Sequence, residues 1–265
     1  MAKRHAEGEK MMFGKRILIL AAHPDDEVVA CAASSSRARA QGATLTVLYL
    51  THGCLAREVL WPWQRKHYDR FVAIRRAEAD KAAIALGLQP VGWGMRPARA
   101  LWREMPRVYE EVLAAIEQYR PDQVWVPAYE GGNPDHDALN AIGFKLRSRI
   151  SVLEFAEYNF FGGKIRSQSF ISSDETVRTL TLTPEEQAAK RAALKIYSSE
   201  TNNLSSLDVE QESYRPLALY NYEQPPHQGK LWYARFSWVP FRHPRVDFTL
   251  PAEVSEKIVA FLSLS

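Results

Sequence analysis

Apolar positions recur along the first half of the chain in short runs separated by amphipathic stretches. Ile17-Leu18-Ile19-Leu20-Ala21 is a continuous apolar run, which predicts a buried strand over 16–21. An alanine- and serine-rich helix follows over 26–40, closed by Gly42. Thr44 to Leu50, rich in β-branched and apolar residues, predicts a second strand. A long connection over 51–66 contains Trp61-Pro62-Trp63. Phe71, Ile74, Ala82 and Leu86 stand near helical spacing, so a helix is expected from His67 to Leu86, ended by Gly87. A third strand near Val91 to Met95, a helix from Met105 to Tyr119 and a fourth strand over Gln123 to Val126 continue the rhythm. The next helix is expected to start near His136. Alternation of this kind predicts an α/β fold: a doubly wound, mostly parallel, Rossmann-like sheet with helices on both faces.

The pattern changes after residue 150. Val177 to Leu182 alternates like an edge or hairpin strand. Thr183-Pro184-Glu185-Glu186 is a strong helix start, with threonine as cap, proline at the first turn and glutamate three residues beyond the cap. That helix should run to about Tyr197. Residues 199–229 are polar with few periodic signals, Leu231 to Phe236 reads as a strand, and Pro251 to Leu262 as a terminal helix. With no linker visible, residues 1–265 are read as one domain, with a loose tail over 1–13 and a C-terminal α+β elaboration.

Composition narrows the function. With 265 residues, 46% of them hydrophobic, the chain can bury a large core, and a net charge of +3 is no nucleic-acid footprint. Cys31 and Cys54 cannot build a disulfide framework, which suits a reducing, cytoplasmic setting. No apolar stretch reaches the roughly 20 residues of a membrane span, and the N-terminal apolar run is too short for an export signal.

The chemistry lies at two turns. Ala22-His23-Pro24-Asp25-Asp26-Glu27 follows the first strand, and Gly131-Gly132-Asn133-Pro134-Asp135-His136-Asp137 follows the fourth. In an open α/β sheet these are carboxyl edges, where ligands bind. The first turn has no glycine to cradle a phosphate, and its three acids repel anions, so dinucleotide binding is not expected. Acids at a helix start also serve as caps and complement the helix dipole. His23, Asp26 and His136 together would make a His2Asp set with an open position, the layout of a catalytic zinc site. Such an ion brings the pKa of a bound water to about 7. Asp25 could then face the open position as base. Asp135 or Asp137 could orient His136, or simply cap its helix.

These residues resemble the PIG-L (LmbE-like) zinc-dependent deacetylases, which remove acetyl groups from N-acetylglucosamine-containing compounds. The resemblance rests on His23-Pro24-Asp25-Asp26-Glu27 and Pro134-Asp135-His136, with Arg75-Arg76-x-Glu78, Leu86-Gly87 and, more weakly, Lys190 to Ser199. It implies that His23, Asp26 and His136 bind zinc and that Asp25 is the general base. The substrate it implies is a small N-acetylated glycoside or glycoconjugate; self-association is left open. The sequence departs from the family at Asn133, where a histidine is usual. Asn133 can still donate a hydrogen bond to an oxyanion but cannot protonate a leaving amine. His52, at the end of the second strand, is the candidate substitute, against a purely structural role. Arg75 reads either as a substrate contact or as a partner of Glu78. Trp61 and Trp63 interrupt a loop and are candidates for a sugar-stacking lid. Two other readings compete: a degenerate metal- or sugar-binding relative, which Asn133 would favour, and an iron oxygenase, whose facial triad uses the same donor set.

Overall fold

The computed structural model describes residues 13–204, 207–241, 243–244 and 246–264. Five strands run parallel: β1 (Arg16–Ala21), β2 (Thr44–Tyr49), β3 (Gln89–Trp93), β4 (Gln123–Pro127) and β5 (Ser151–Phe155). A two-stranded ribbon, β6 (Tyr158–Asn159) and β7 (Arg166–Ser167), follows β5. The edge of the main sheet is completed by β8 (Arg178–Thr181) and β9 (Gln211–Pro216), with β9 antiparallel to both β5 and β8. The seven-stranded order is β3-β2-β1-β4-β5-β9-β8. The chain therefore winds outward from β1 to β3, then returns to place β4 on the other side of β1.

Side chains of β1 explain its unbroken apolar run. Ile17, Ile19 and Ala21 enter one core with residues of α1 (Asp26–Ala40), α2 (Tyr68–Leu86) and α5 (Pro184–Leu194). Leu18 and Leu20 enter the other core with α3 (Met105–Tyr119), α4 (Pro134–Leu146) and α6 (Pro251–Leu262). A strand covered on both faces needs apolar residues at every position. No helix among the described residues is long and apolar enough to cross a membrane.

Several elements differ from the sequence reading. Residues 1–12 of the expected tail lie outside the described residues, while Phe13 packs its ring 5.1 Å from that of Trp125. β3 begins at Gln89, and α4 begins at Pro134, with Asn133 as its cap. α5 has the expected reciprocal cap of Thr183 and Glu186 but ends at Leu194. The strand expected over Leu231 to Phe236 is a series of turns; Trp232 N–H donates to the Gly131 carbonyl at 3.0 Å, seating this segment on the second motif. β5 and β9 carry no simple apolar signal, because each buries charge. Glu154 of β5 pairs with Arg215 of β9 at 2.5 Å. Glu212 of β9 accepts from the backbone of Ala33 and Ser34 and pairs with Lys190 of α5 at 3.0 Å.

Lys190 and Glu212 are both essentially inaccessible. Removing one partner of such a pair leaves an uncompensated charge in the core. Lys190→Met is therefore expected to cost about 3–5 kcal/mol in urea unfolding, with partial recovery when Glu212→Gln is added. An unchanged midpoint in Lys190→Met would show that the pair does not hold β9 to the helices.

Candidate metal and catalytic site

The change of direction between β1 and β4 brings the two motifs together. β1 and β4 are paired in parallel, so His23, beyond the end of β1, meets the start of α4, beyond the end of β4. His23 Nδ1 lies 3.1 Å from His136 Nε2. Asp26 Oδ1 lies 3.7 Å from the first nitrogen and 3.4 Å from the second. Asp26 Oδ2 is engaged separately, accepting from His23 N–H at 2.9 Å. Donors at the zinc–nitrogen distance of ~2.0 Å sit about 3.3 Å apart at the corners of a tetrahedron. The three observed edges bracket that length, so the buried donor set fits a small divalent ion.

Supporting contacts differ among the donors. Asp135 holds His23, with Oδ2 3.2 Å from Nε2, and accepts from the backbone N–H of Arg99 and Trp102. Asp137 instead accepts from Glu130 and Gly131 N–H, shaping the loop before α4. Neither acid orients His136, the role considered for them from sequence. The carboxylate facing His136 Nδ1 is Glu157 Oε2, at 3.8 Å, close enough for charge but not for a hydrogen bond. Burial opposes a charged His23, yet Asp135 and Asp26 outweigh it and push the imidazole up to about 10. Burial also works against ionised Asp26, but His136 and His23 hold it well below the usual carboxylate range. A metal ion takes the proton's place in such a set, so binding is coupled to proton release.

Asp25 occupies a backbone conformation disfavoured for any residue with a Cβ, at φ 128° and ψ −25°. Its N–H donates to Glu27 Oε2 at 3.0 Å, and the other Glu27 oxygen accepts from Tyr197. Arg75 Nη2 donates to the Pro24 carbonyl and to Asp25 Oδ2, the latter at 3.1 Å. Gly53 makes room for that guanidinium, since a Cβ there would lie 2.9 Å from Arg75 Nε. Burial pushes the Asp25 carboxyl up to about 8, with Arg75 opposing it. Arg75 is thus committed to the first motif. It does not pair with Glu78, which accepts from Ser198 and Ser199.

The remaining sequence candidates are more scattered. Asn133 Oδ1 caps α4 by accepting from Asp135 N–H at 2.9 Å, and its side chain lies beside Tyr158. His52 Nδ1 accepts from Cys54 N–H, and its Nε2 lies 3.1 Å from the Tyr68 hydroxyl; burial holds this imidazole below its ordinary value. Its side-chain partners are thus in its own loop and α2. Trp61 and Trp63 stack on each other, with His243 edge-on to Trp61, and Trp63 is 62% exposed. Among the described residues neither indole makes a ring contact with His23 or His136.

Sequence reading missed Glu157 and Tyr158. The Tyr158 ring stands 5.8 Å from that of His136 and covers Gly132, where a Cβ would come within 2.3 Å of the Tyr158 carbonyl oxygen. The available signal was the pair of acids in Glu154-Phe155-Ala156-Glu157, out of place in an apolar run. Also missed was Glu130, which accepts from Glu157 N–H at 2.7 Å and from Asn159 at 3.3 Å.

The arrangement is that of a Rossmann-like α/β protein with a His/Asp/His cluster at the topological switch point. Residues 18–146, from β1 to the end of α4, match the model of the family PIG-L, GlcNAc-PI de-N-acetylase. The 1D-myo-inositol 2-acetamido-2-deoxy-alpha-D-glucopyranoside deacetylase 1 of Catenulispora acidiphila is 31% identical over 167 residues, covering 54% of this chain and 51% of that protein. The deacetylase of the same description from Geodermatophilus obscurus is 30% identical over 154 residues, 49% of this chain and 52% of that protein. The chain thus spans about half the length of the curated relatives it matches. A solved deacetylase of the teicoplanin biosynthesis pathway superposes with a TM-score of 0.61 at 18% identity, over 78% of this chain and 99% of that one, a likeness of fold. Residues 18–146, just under half of the chain, are thus similar to the PIG-L family.

Burial pushes Glu130 up to about 7, against an ordinary value of 4.5. The folded state therefore binds more protons than the unfolded state between those values, and stability falls as pH rises through this window. Glu130→Gln removes that titration. Relative to the parent, the variant should gain stability between about pH 5 and 7, by at most one proton's worth, ~1.4 kcal/mol per pH unit. Parallel stability–pH curves from chemical denaturation would refute the assignment.

Proposed function

We propose that this protein is a zinc-dependent hydrolase that removes the N-acetyl group from an amino sugar or its conjugate. The observation that carries the reading is the closed triangle of His23 Nδ1, His136 Nε2 and Asp26 Oδ1, with the Asp25 carboxyl adjoining it. The curated relatives, deacetylases of an acetamido-deoxyglucopyranosyl inositol, support an N-acetylated sugar substrate. Both cysteines are free, which suits a cytoplasmic enzyme.

His23, Asp26 and His136 would hold the ion, with Asp135 fixing the His23 ring. When bound, the ion lowers the pKa of water and polarises a carbonyl. Asp25 accepts a proton from the attacking water as the new C–O bond forms, and Arg75 fixes its carboxylate. As the C–N bond breaks, the same carboxyl returns the proton to the departing nitrogen, leaving acetate and a free amine. Asn133 acts through Tyr158. With its Oδ1 occupied by Asp135 N–H, its NH2 is the group left to face Tyr158, whose O–H would then bond the acetamide carbonyl. This arrangement does the work of the family's usual histidine without needing an imidazolium. If Asn133 instead marks a protein that binds without turnover, acetate release from a panel of N-acetyl sugars by the zinc-loaded protein will be nil.

His136→Ala leaves two donors and is expected to lose the ion after zinc loading and dialysis, as read by elemental analysis. Full occupancy would remove His136 from the site. Asp25→Asn should keep the ion while the chemical step slows by roughly 10²–10⁴, the scale of general-base loss. Turnover at the parental rate would place the base elsewhere.

A further inference from the structure

Beside the candidate site stands an arginine with no acidic partner among the described residues. Trp232, tied to Gly131 through its N–H, stands with its ring 6.2 Å from Tyr158 and 5.7 Å from Phe160. The Arg235 guanidinium lies 3.5 Å over the Trp232 ring and 4.6 Å from the Phe236 ring. One N–H of Arg235 donates to the Trp232 carbonyl at 2.7 Å. Other arginines around the site are paired with acids: Arg75 with Asp25, Arg96 with Glu111 and Arg99 with Asp247. Arg235 is half-buried and has no carboxylate partner among the described residues. The surrounding segment cannot supply one, since residues 224–246 contain no Asp or Glu.

Stacking covers the flat faces of a guanidinium and leaves its edge, where the paired N–H donors suit a carboxylate or phosphate. A half-buried guanidinium held in this way, with no acid beside it, keeps the rest of its donor edge free for an anion that arrives with the ligand. Burial, with a smaller contribution from Arg99, holds Arg235 below the usual arginine value. Arg235 is also within electrostatic reach of Tyr158, the residue beside Asn133 and His136.

We infer that Arg235, stacked on Trp232 beside Tyr158, forms an anion subsite at the mouth of the site, and that the substrate is an N-acetylated sugar bearing a phosphate or carboxylate. This rests on the deacetylase reading and narrows it. The subsite lies outside the segment shared with the family model, in a stretch that can set this chain's own specificity.

Binding is measured by calorimetry on the zinc-loaded Asp25→Asn protein, with N-acetylglucosamine, its two monophosphates (at the anomeric and the primary hydroxyl) and N-acetylmuramic acid. At least one anionic sugar is expected to bind about tenfold or more tightly than the neutral one, the scale of a hydrogen-bonded charge. Arg235→Gln should abolish that preference and Arg235→Lys, which keeps charge but not the fork, should retain part of it. Equal binding of neutral and anionic sugars, or a preference that survives Arg235→Gln, overturns the subsite. A loss equal for all ligands, or a fall in thermal stability in both variants with the ratio unchanged, shows a structural brace and also overturns it. Anion preference without turnover by the parent enzyme would leave the subsite standing and remove the deacetylase reading.

Discussion

Parallel pairing of β1 with β4 is the contact on which the site depends. Ile17 to Ile19 lie against Gln123 to Trp125, and the chain reaches this neighbour only after travelling out to β3 and back. Strands wound to opposite sides of a common line leave a crevice at their carboxyl ends. His23 and His136 fall into that crevice, 113 residues apart in the chain and 3.1 Å apart in space. Neither turn holds a complete donor set. The pairing also has to be rigid, because three donors at roughly 3–4 Å tolerate little drift. Rigidity comes from the two apolar cores, which clamp β1 from both faces.

The second constraint is charge without water. His23, Asp26, Glu27, Asp135, His136, Asp137 and Glu157 are all buried. Acids packed this closely repel one another, and several are pushed up by burial into the neutral range or beyond. The fold manages them by giving each a separate hydrogen-bonding task. Asp135 goes to His23 and two backbone amides, Asp137 to the loop before α4, and Glu27 to the strained backbone of Asp25. A divalent ion held by His23, Asp26 and His136 would add positive charge where these fields converge, and the same carboxylates would favour it.

How far the sequence spoke follows from this division. β1, β2 and β4 were readable as apolar runs, and the helices between them by the breaks that end them, such as Gly42, Gly87 and Pro121, whereas β3 is half-exposed and its start was misplaced. β9 was not, because Glu212, Ser213 and Arg215 are buried by pairing with Lys190, Thr179 and Glu154, partners far along the chain. His23, Asp26 and His136 could be grouped from two short motifs at strand ends. Asp135 was legible as a supporting acid but not as the partner of His23, since only packing decides which ring it meets. Arg75 and Glu78, one helical turn apart, suggested a pair, yet the fold sends one to Asp25 and the other to Ser198 and Ser199. Tyr158 and Arg235 sit in stretches without a period, and nothing local links them to α4.

Asn133 shows how one position can serve two levels at once. An asparagine before proline at a helix start is a good N-cap, and Asn133 is one. Its capping oxygen is then fixed, which orients the amide NH2 in the neighbourhood of Tyr158. Gly132 beside it must lack a Cβ because the Tyr158 backbone and ring occupy the space. The loop before α4 and the ribbon after β5 are therefore matched pieces. Asn133, Gly132 and Tyr158 thus pack as one unit beside His136, and Trp232 extends that packing from the far side of Tyr158.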